Sequence, residues 1–316
     1  MQSAQWAAFK ARCGWHAYYL WQKDRTRSRA TALVLHRSLA GMPYGGILYV
    51  PRGPILDFSA PDATAVFDKM LSQLKELARK RLAVVRVSPD VEAGTKWVSD
   101  VLVKHGFQRS SCPVQHTCTF RLDLRQSADA IMAGLEPRTR YAVRRLSKCS
   151  EDWKFRVETS LSALDEFYQL YAGTMARAGK GLKSLQEMRV MLETLGPCGS
   201  AFVFLAECTS RLVSGALLVA LGKRLWYLYG GSARSVQVSG AGEFLHWQII
   251  QWAQHHNYEE YDLQGVPCSV EQGDPEFGVY LFKRGWGGRR VELIGEFEYS
   301  PLPLLGAFLG AYLARK

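Results

Sequence analysis

Residues 201–232 read AFVFLAECTSRLVSGALLVALGKRLWYLYGGS. Three apolar runs, 201–207, 212–221 and 224–229, are separated by the short polar segments CTSR and GK. Runs of this length and composition, broken by turn residues, predict a meander of strands. The period then changes. Residues 243–255, EFLHWQIIQWAQH, predict a helix, and 260–263, EYDL, return to strand. Hairpins mixed with single helices, rather than strict strand–helix alternation, predict a mixed sheet.

The same mixture occurs earlier in the chain. Residues 31–37 and 47–50 predict strands joined through the turn-rich GMPYGG, after which PRGP breaks the chain. In 63–80, Val66, Met70, Leu74 and Leu77 stand at helical spacing, with Asp62 as the expected cap. A β-branched run at 82–87, a helix at 97–105 ending at Gly106, and a strand at 117–122 follow. Pro137 is well placed to open a helix, and 164–176 predict another. The expectation is an α/β (α+β) protein of two lobes, each with a mixed sheet. The boundary falls near Asp123, giving lobes at 1–122 and 123–294, the first completed by 295–316 if the final segment folds back.

Composition narrows the classes. The chain has 316 residues, 47% hydrophobic and 22% charged, which fits a globular protein of two medium domains and not a disordered one. Lys plus Arg number 40 against 29 Asp plus Glu, a net charge of +11. Nucleic acid, a phosphorylated substrate and an anionic membrane surface are all compatible partners, as is a charge that serves only solubility. The 7 cysteines are odd in number and never spaced as CxxC, so neither a disulfide framework nor a zinc site is expected, and a reducing compartment is. The N-terminus lacks the apolar core of a signal peptide. The most apolar stretch, 301–314 (PLPLLGAFLGAYLA), falls short of the roughly 20 residues that span a bilayer.

Several segments, in order, resemble the Fem peptidoglycan-bridge aminoacyltransferases. They are QSAQWAAFK at 2–10, YVPRGPILD at 49–57, VQHTCTFRLDL at 114–124, RTRYAVRRLSK at 138–148, YLYGGS at 227–232, YDLQGV at 261–266 and LFKRGWGG at 281–288. The resemblance implies two tandem acetyltransferase-like (GNAT) lobes, here without the coiled-coil arm many members carry. It implies an aminoacyl-tRNA donor, a muramyl-peptide precursor, UDP-linked or lipid-linked, as acceptor, and neither metal nor cofactor. A cytoplasmic location, with peripheral contact at the inner membrane, goes with it. Two departures stand out. RVSP at 86–89 has Ser88 where an acidic residue is common, so no base is assigned there. The chain also begins close to the QS motif, so a strand ahead of it is expected to be missing.

The implied reaction is attack of a stem-peptide amine on the activated ester of a charged tRNA, which needs alignment and stabilisation of developing negative charge. The resemblance carries the key lysine onto Lys283 and its aromatic neighbour onto Phe282. If this segment is extended, the two project to opposite sides, while Gly285, Gly287 and Gly288 allow a tight backbone path. A strand-end lysine in water is the alternative. Lys10, Arg177 and Tyr229 would hold the precursor's phosphates or sugar. Each also has a plain reading, as an exposed lysine, a helix cap and a packed aromatic.

Arg140, Arg144 and Lys148 repeat every four residues, broadened by Arg138 and Arg145, with Tyr141, Ala142 and Leu146 as the apolar side. The stripe fits a tRNA phosphate-backbone contact or an ordinary solvated face. Glu243 and His246 form a lone ExxH pair, and His255 and His256 are adjacent; neither makes a metal site. QVSGAG at 237–242 resembles the pyrophosphate loop of acetyltransferases, which keeps acyl-CoA-dependent N-acyltransfer as the rival function. Charge alone would also fit a non-catalytic RNA or membrane-surface binding protein.

Overall fold

The structure, a computed structural model, describes residues 1–24, 27–38, 44–148, 152–233 and 240–302. The chain divides into two compact units, Met1–Thr117 with the segment from Glu292, and Cys118–Val291.

The first unit runs α1 (Ala4–Arg12), β1 (His16–Lys23), β2 (Ser28–Arg37), β3 (Ile47–Pro51), β4 (Ile55–Leu56), α2 (Ala63–Arg81), β5 (Val84–Ser88), α3 (Lys96–Lys104) and β6 (Gln108–Arg109). A late strand, β14 (Phe297–Tyr299), joins its sheet, which is ordered β1-β2-β3-β5-β14-β6 with β4 beside β2. β3 and β5 are parallel and the other described pairs antiparallel. A parallel pair needs a crossover, and α2 supplies it. Phe67, Met70, Leu71, Leu74 and Ala78 form the buried stripe of α2, packed with Val34, Leu48, Val50, Val85 and Val87 of the sheet. Each large side chain so buried contributes about 1.5–3 kcal/mol.

Two local expectations fail here. Asp62 makes no capping bond to α2; its carboxylate pairs with Arg29 instead. β1, HAYYLWQK, carries no strand signal in sequence because its aromatic residues occupy both faces. Tyr18 and Leu20 pack on the core, while Tyr19 and Trp21 are exposed, so no alternation of polarity marks the strand.

The QS and PRGP motifs turn out to be one device. Ser3 caps α1 by accepting from the Trp6 amide at 3.1 Å. The Gln2 amide donates to the carbonyls of Leu33 at 3.2 Å and Pro51 at 2.8 Å, and its oxygen accepts from Leu33 N at 2.7 Å. Gly53 leaves room for it: a Cβ there would lie 2.5 Å from the Gln2 side chain.

The second unit runs β7 (Cys118–Asp123), α4 (Ala128–Gly134), α5 (Pro137–Ser147), β8 (Trp153–Glu158), α6 (Leu161–Arg177), α7 (Leu185–Leu195), a 3₁₀ turn at Gly196–Cys198, β9 (Ala201–Cys208), β10 (Arg211–Leu221), β11 (Arg224–Ser232), α8 (Ala241–His255), β12 (Glu260–Asp262), α9 (Phe277–Arg284) and β13 (Arg289–Glu292). Its sheet is ordered β13-β7-β12-β11-β10-β9-β8. The meander read from residues 201–229 is β9–β10–β11, antiparallel throughout, and α8 carries the chain over so that β12 lies parallel to β11. Phe204, Leu218, Leu225, Leu245, Ile249, Ile250 and Tyr261 are at its buried centre.

Candidate active site

β12 ends at Asp262, and the chain then turns through Gln264, whose φ of 59° is left-handed and unfavourable for a side-chain-bearing residue. The Asp262 carboxylate supports that turn. Oδ1 accepts from Gln264 N at 2.8 Å and from Thr119 Oγ1 at 2.6 Å, and Oδ2 accepts from Arg121 Nε at 3.1 Å. Beyond the turn Val266 donates to the Cys118 carbonyl at 2.9 Å. Cys268 forms a disulfide with Cys118 across a sequence separation of 150, contrary to the expectation of unpaired cysteines. Pairing over such a distance leaves no trace in spacing, so the cysteine pattern no longer argues for a reducing compartment.

Lys283 sits against this turn. The extended segment expected around it is instead the helix α9. The glycines that suggested an extended path come after the helix and end it, a stop signal rather than a strand signal. They also let the chain pass close to its neighbours: a Cβ would lie 2.3 Å from Thr139 Oγ1 at Gly285, 2.1 Å from Gly134 O at Gly287 and 2.9 Å from Arg121 O at Gly288. Lys283 is 7% exposed. Its Nζ donates to the carbonyls of Gln264 at 3.1 Å and Gly265 at 2.9 Å and lies 5.7 Å from the centre of the Tyr227 ring. Two of the three ammonium donors are therefore committed to the turn. Burial lowers the Lys283 pKa to about 8, opposed by the charges of Asp262 and Glu276 and reinforced by Lys180.

Phe282 projects elsewhere, its ring against Gly242 and edge-on to His246 at 5.1 Å. His246 is buried, and desolvation, with the Lys283 charge adding to it, lowers its pKa to about 3. It is a neutral imidazole whose Nδ1 shares a 2.9 Å hydrogen bond with Tyr261 OH. In the ExxH pair, His246 is a buried core residue whose Nδ1 is engaged by Tyr261. Burial pushes the Tyr227 phenol up to about 12.

Arg177 and Tyr229 share a wall made by α6 and β11. Arg177 ends α6, exposed, with Nη2 donating to Thr174 Oγ1 at 3.0 Å and to the Ser232 carbonyl. Tyr229 packs on Tyr171 at 5.6 Å, and burial raises its pKa to about 12. Gly231 permits this wall, because a Cβ there would be 2.5 Å from the Tyr171 amide. A bulge between Tyr227 and Tyr229 leaves Leu228 opposite no residue of β10. Tyr229 and Tyr227, whose ring faces Lys283 Nζ at 5.7 Å, thus lie on one strand. Lys10 belongs to the first unit, on α1, its Nζ 4.6 Å from the Phe9 ring centre.

The arginine-rich segment is helical, as α5, but its faces differ from expectation. Thr139, Val143 and Leu146 are buried, and Tyr141 is 69% exposed among Arg138, Arg144 and Arg145. Arg140 is half-buried and donates to the Leu135 carbonyl at 2.9 Å, so it is partly spent on the fold. Of QVSGAG, residues 237–239 lie outside the described residues; Gly240 caps α8 with φ 98°. Of the apolar 301–314 stretch, residues from 303 lie outside them too. No helix among the described residues is long and apolar enough to cross a membrane.

The sequence alone gave no site role to Asp262, Thr119, Tyr227, His246 and Tyr261. The signal for four was present: Thr119, Tyr227, Tyr261 and Asp262 fall within the VQHTCTFRLDL, YLYGGS and YDLQGV motifs.

Comparison with known proteins bears on the fold and the family resemblance. Residues 137–283 match the family described as acetyltransferase (GNAT) domain. The chain is similar to the lipid II:glycine glycyltransferase of Staphylococcus epidermidis, 22% identical, with 95% of this chain and 87% of the relative covered. The enzyme of the same name from Staphylococcus aureus matches at 22%, with 95% and 87% covered. Among solved structures, FemX superposes with a TM-score of 0.87 at 20% identity, covering 98% of this chain and 94% of that one. The C-terminal domain of a putative lysylphosphatidylglycerol synthetase from Agrobacterium fabrum gives 0.58 at 16% identity, covering 99% and 92%. The Fem resemblance read from seven short motifs thus extends over nearly the whole chain. The fold is that of FemX, with two mixed sheets, and the acetyltransferase (GNAT) domain match lies in the second unit.

Proposed function

We propose that this protein is an aminoacyltransferase that adds an amino acid, glycine on the relatives' precedent, from aminoacyl-tRNA to the stem-peptide amine of a peptidoglycan precursor. The similarity to lipid II:glycine glycyltransferases over 95% of the chain carries this reading. The precursor on that precedent is lipid-linked, which calls for peripheral contact with the membrane surface.

The residues divide the work as follows. The amine attacks the ester carbonyl, negative charge develops on the carbonyl oxygen, and the tRNA ribose hydroxyl leaves. Lys283, cationic below about pH 8 and fixed by two backbone carbonyls, stabilises that charge without reorganising. Phe282 fixes the last turn of α9 against His246. Arg177 and Tyr229 bind the precursor's phosphates or sugar, and the same kind of role is assigned separately to Lys10 of the first unit. Arg144 and Arg145, with Arg140 in a lesser part, meet the tRNA backbone, where charge supplies affinity. The test is incubation with lipid II and charged glycyl-tRNA, followed by mass spectrometry of the lipid-linked peptide. One added glycine per stem is expected. An unmodified precursor with both substrates present would retire the reading.

Acyl-CoA-dependent N-acyltransfer is favoured by one observation, the acetyltransferase domain match that takes in α8 and its Gly240 cap. Calorimetric titration with acetyl-CoA separates the two. No heat is expected, and a micromolar affinity would place the acyl-CoA reading first.

A further inference from the structure

We propose that Asp262 is the positioning residue for Lys283: its carboxylate builds the left-handed turn whose carbonyls hold the lysine, and supplies the negative charge that keeps it cationic. This rests on the transfer reading for its role in turnover, but not for its effect on the lysine itself.

Three observations carry it. Gln264 adopts φ 59°, a conformation that costs a side-chain-bearing residue free energy unless something holds it. What holds it is the 2.8 Å bond from its amide to Asp262 Oδ1, and this orientation directs the Gln264 and Gly265 carbonyls at Lys283 Nζ. Asp262 is itself fixed. It is 3% exposed and accepts from Thr119 and Arg121 on the neighbouring strand β7. Finally, Asp262 opposes the desolvation of Lys283 more than any other charge does.

The other groups facing Lys283 do not duplicate this. Tyr227 from β11 is an un-ionised phenol, and His246 from α8 is neutral. Glu276, at the start of α9, also favours the charged lysine, though less than Asp262 does, and it is paired with Lys180 at 2.6 Å, whose charge acts in the opposite direction. A buried ammonium beside two carbonyls and no carboxylate would give up its proton near neutral pH. Asp262 is the largest of the charges that favour its protonated form.

The experiment is an NMR titration of the Lys283 side chain in the full protein, assigned by its loss in Lys283→Met, and repeated in Asp262→Asn. The substitution keeps the size, removes the charge, and turns an amide N–H₂ towards Arg121 or Thr119. Lys283 is expected to titrate near pH 8 in the parent and at least about half a unit lower in Asp262→Asn. The alkaline limb of kcat should move by the same amount, with KM for either substrate changed less than kcat. An unmoved lysine titration in a folded Asp262→Asn overturns the proposal. Should that variant not fold, Thr119→Val removes one donor to the carboxylate. It is expected to lower kcat about 5–10-fold, with Thr119→Ser restoring it, and unchanged kcat would overturn the proposal. A lysine titration that responds to Asp262 in a protein that transfers nothing would uphold the positioning and retire only the transfer.

Discussion

Two glycine-bearing turns, one in each unit, are each held by a single polar side chain, and they differ in charge. In the first unit Gln2 ties β2 to the end of β3 through three hydrogen bonds to backbone, beside Gly53. In the second Asp262 ties the turn at Gln264 and so holds Lys283. A neutral amide satisfies buried backbone groups at any pH and contributes to stability alone. A buried carboxylate and ammonium cost desolvation energy, and what they return is a fixed charge at a place where charge can develop. Both turns lie in motifs that resemble the same family, so motif strength does not separate architecture from chemistry. Electrostatics does.

The largest expected effect is on activity. Lys283→Met should lower transfer about 10²–10³-fold, the scale of losing one preorganised donor to a developing oxyanion. Because the lysine is buried at a depressed pKa, its removal should not lower Tm at pH 7. A mutant with near-normal turnover, or one that is inactive only because it unfolds, would break the contrast.

Gln2→Ala should show the opposite. Loss of the three hydrogen bonds is expected to destabilise the protein by about 1–3 kcal/mol, measured by urea denaturation, with kcat per folded molecule unchanged. A fall in kcat with unchanged stability would mean that the first turn, too, serves chemistry.

A third region, α5, carries exposed charge. Arg144→Glu with Arg145→Glu should weaken charged-tRNA binding and flatten its log-affinity against log-salt slope by roughly 2. An unchanged slope would make α5 an ordinary solvated face. Tyr141, exposed between these arginines, adds a stacking surface; its replacement by Ala should weaken binding without changing the slope.

The smallest effect sharpens the comparison most. The folded-state pKa of Lys283 lies below that of the unfolded chain, so between about pH 8 and 10.5 the unfolded state binds more protons and this lysine's contribution to stability rises with pH. Below pH 8 its burial costs the full difference. The stability gap between the parent and Lys283→Met should therefore change across that window, while the gap between the parent and Gln2→Ala stays constant. Two parallel curves would mean that Lys283 is not perturbed.

The sequence by itself determined the elements whose signal is local. The β9–β10–β11 meander and α8 are runs long enough that composition and period settle their type. The core stripe of α2 is legible for the same reason, and so is α5 from Pro137 onward. Candidate residues followed from short motifs, which name residue types but not their surroundings. Tertiary structure decided the rest, because the determinants were distant in sequence. α9 is a helix although glycines follow it, since those glycines end the helix and carry the chain close past α4, α5 and β7. The Cys118–Cys268 disulfide joins residues 150 apart. Lys283 is a buried cation rather than a strand-end lysine in water only because β12, β7 and β11 bring Asp262, Thr119 and Tyr227 around it. Desolvation and pairing are properties of a place, and no stretch of sequence contains the place.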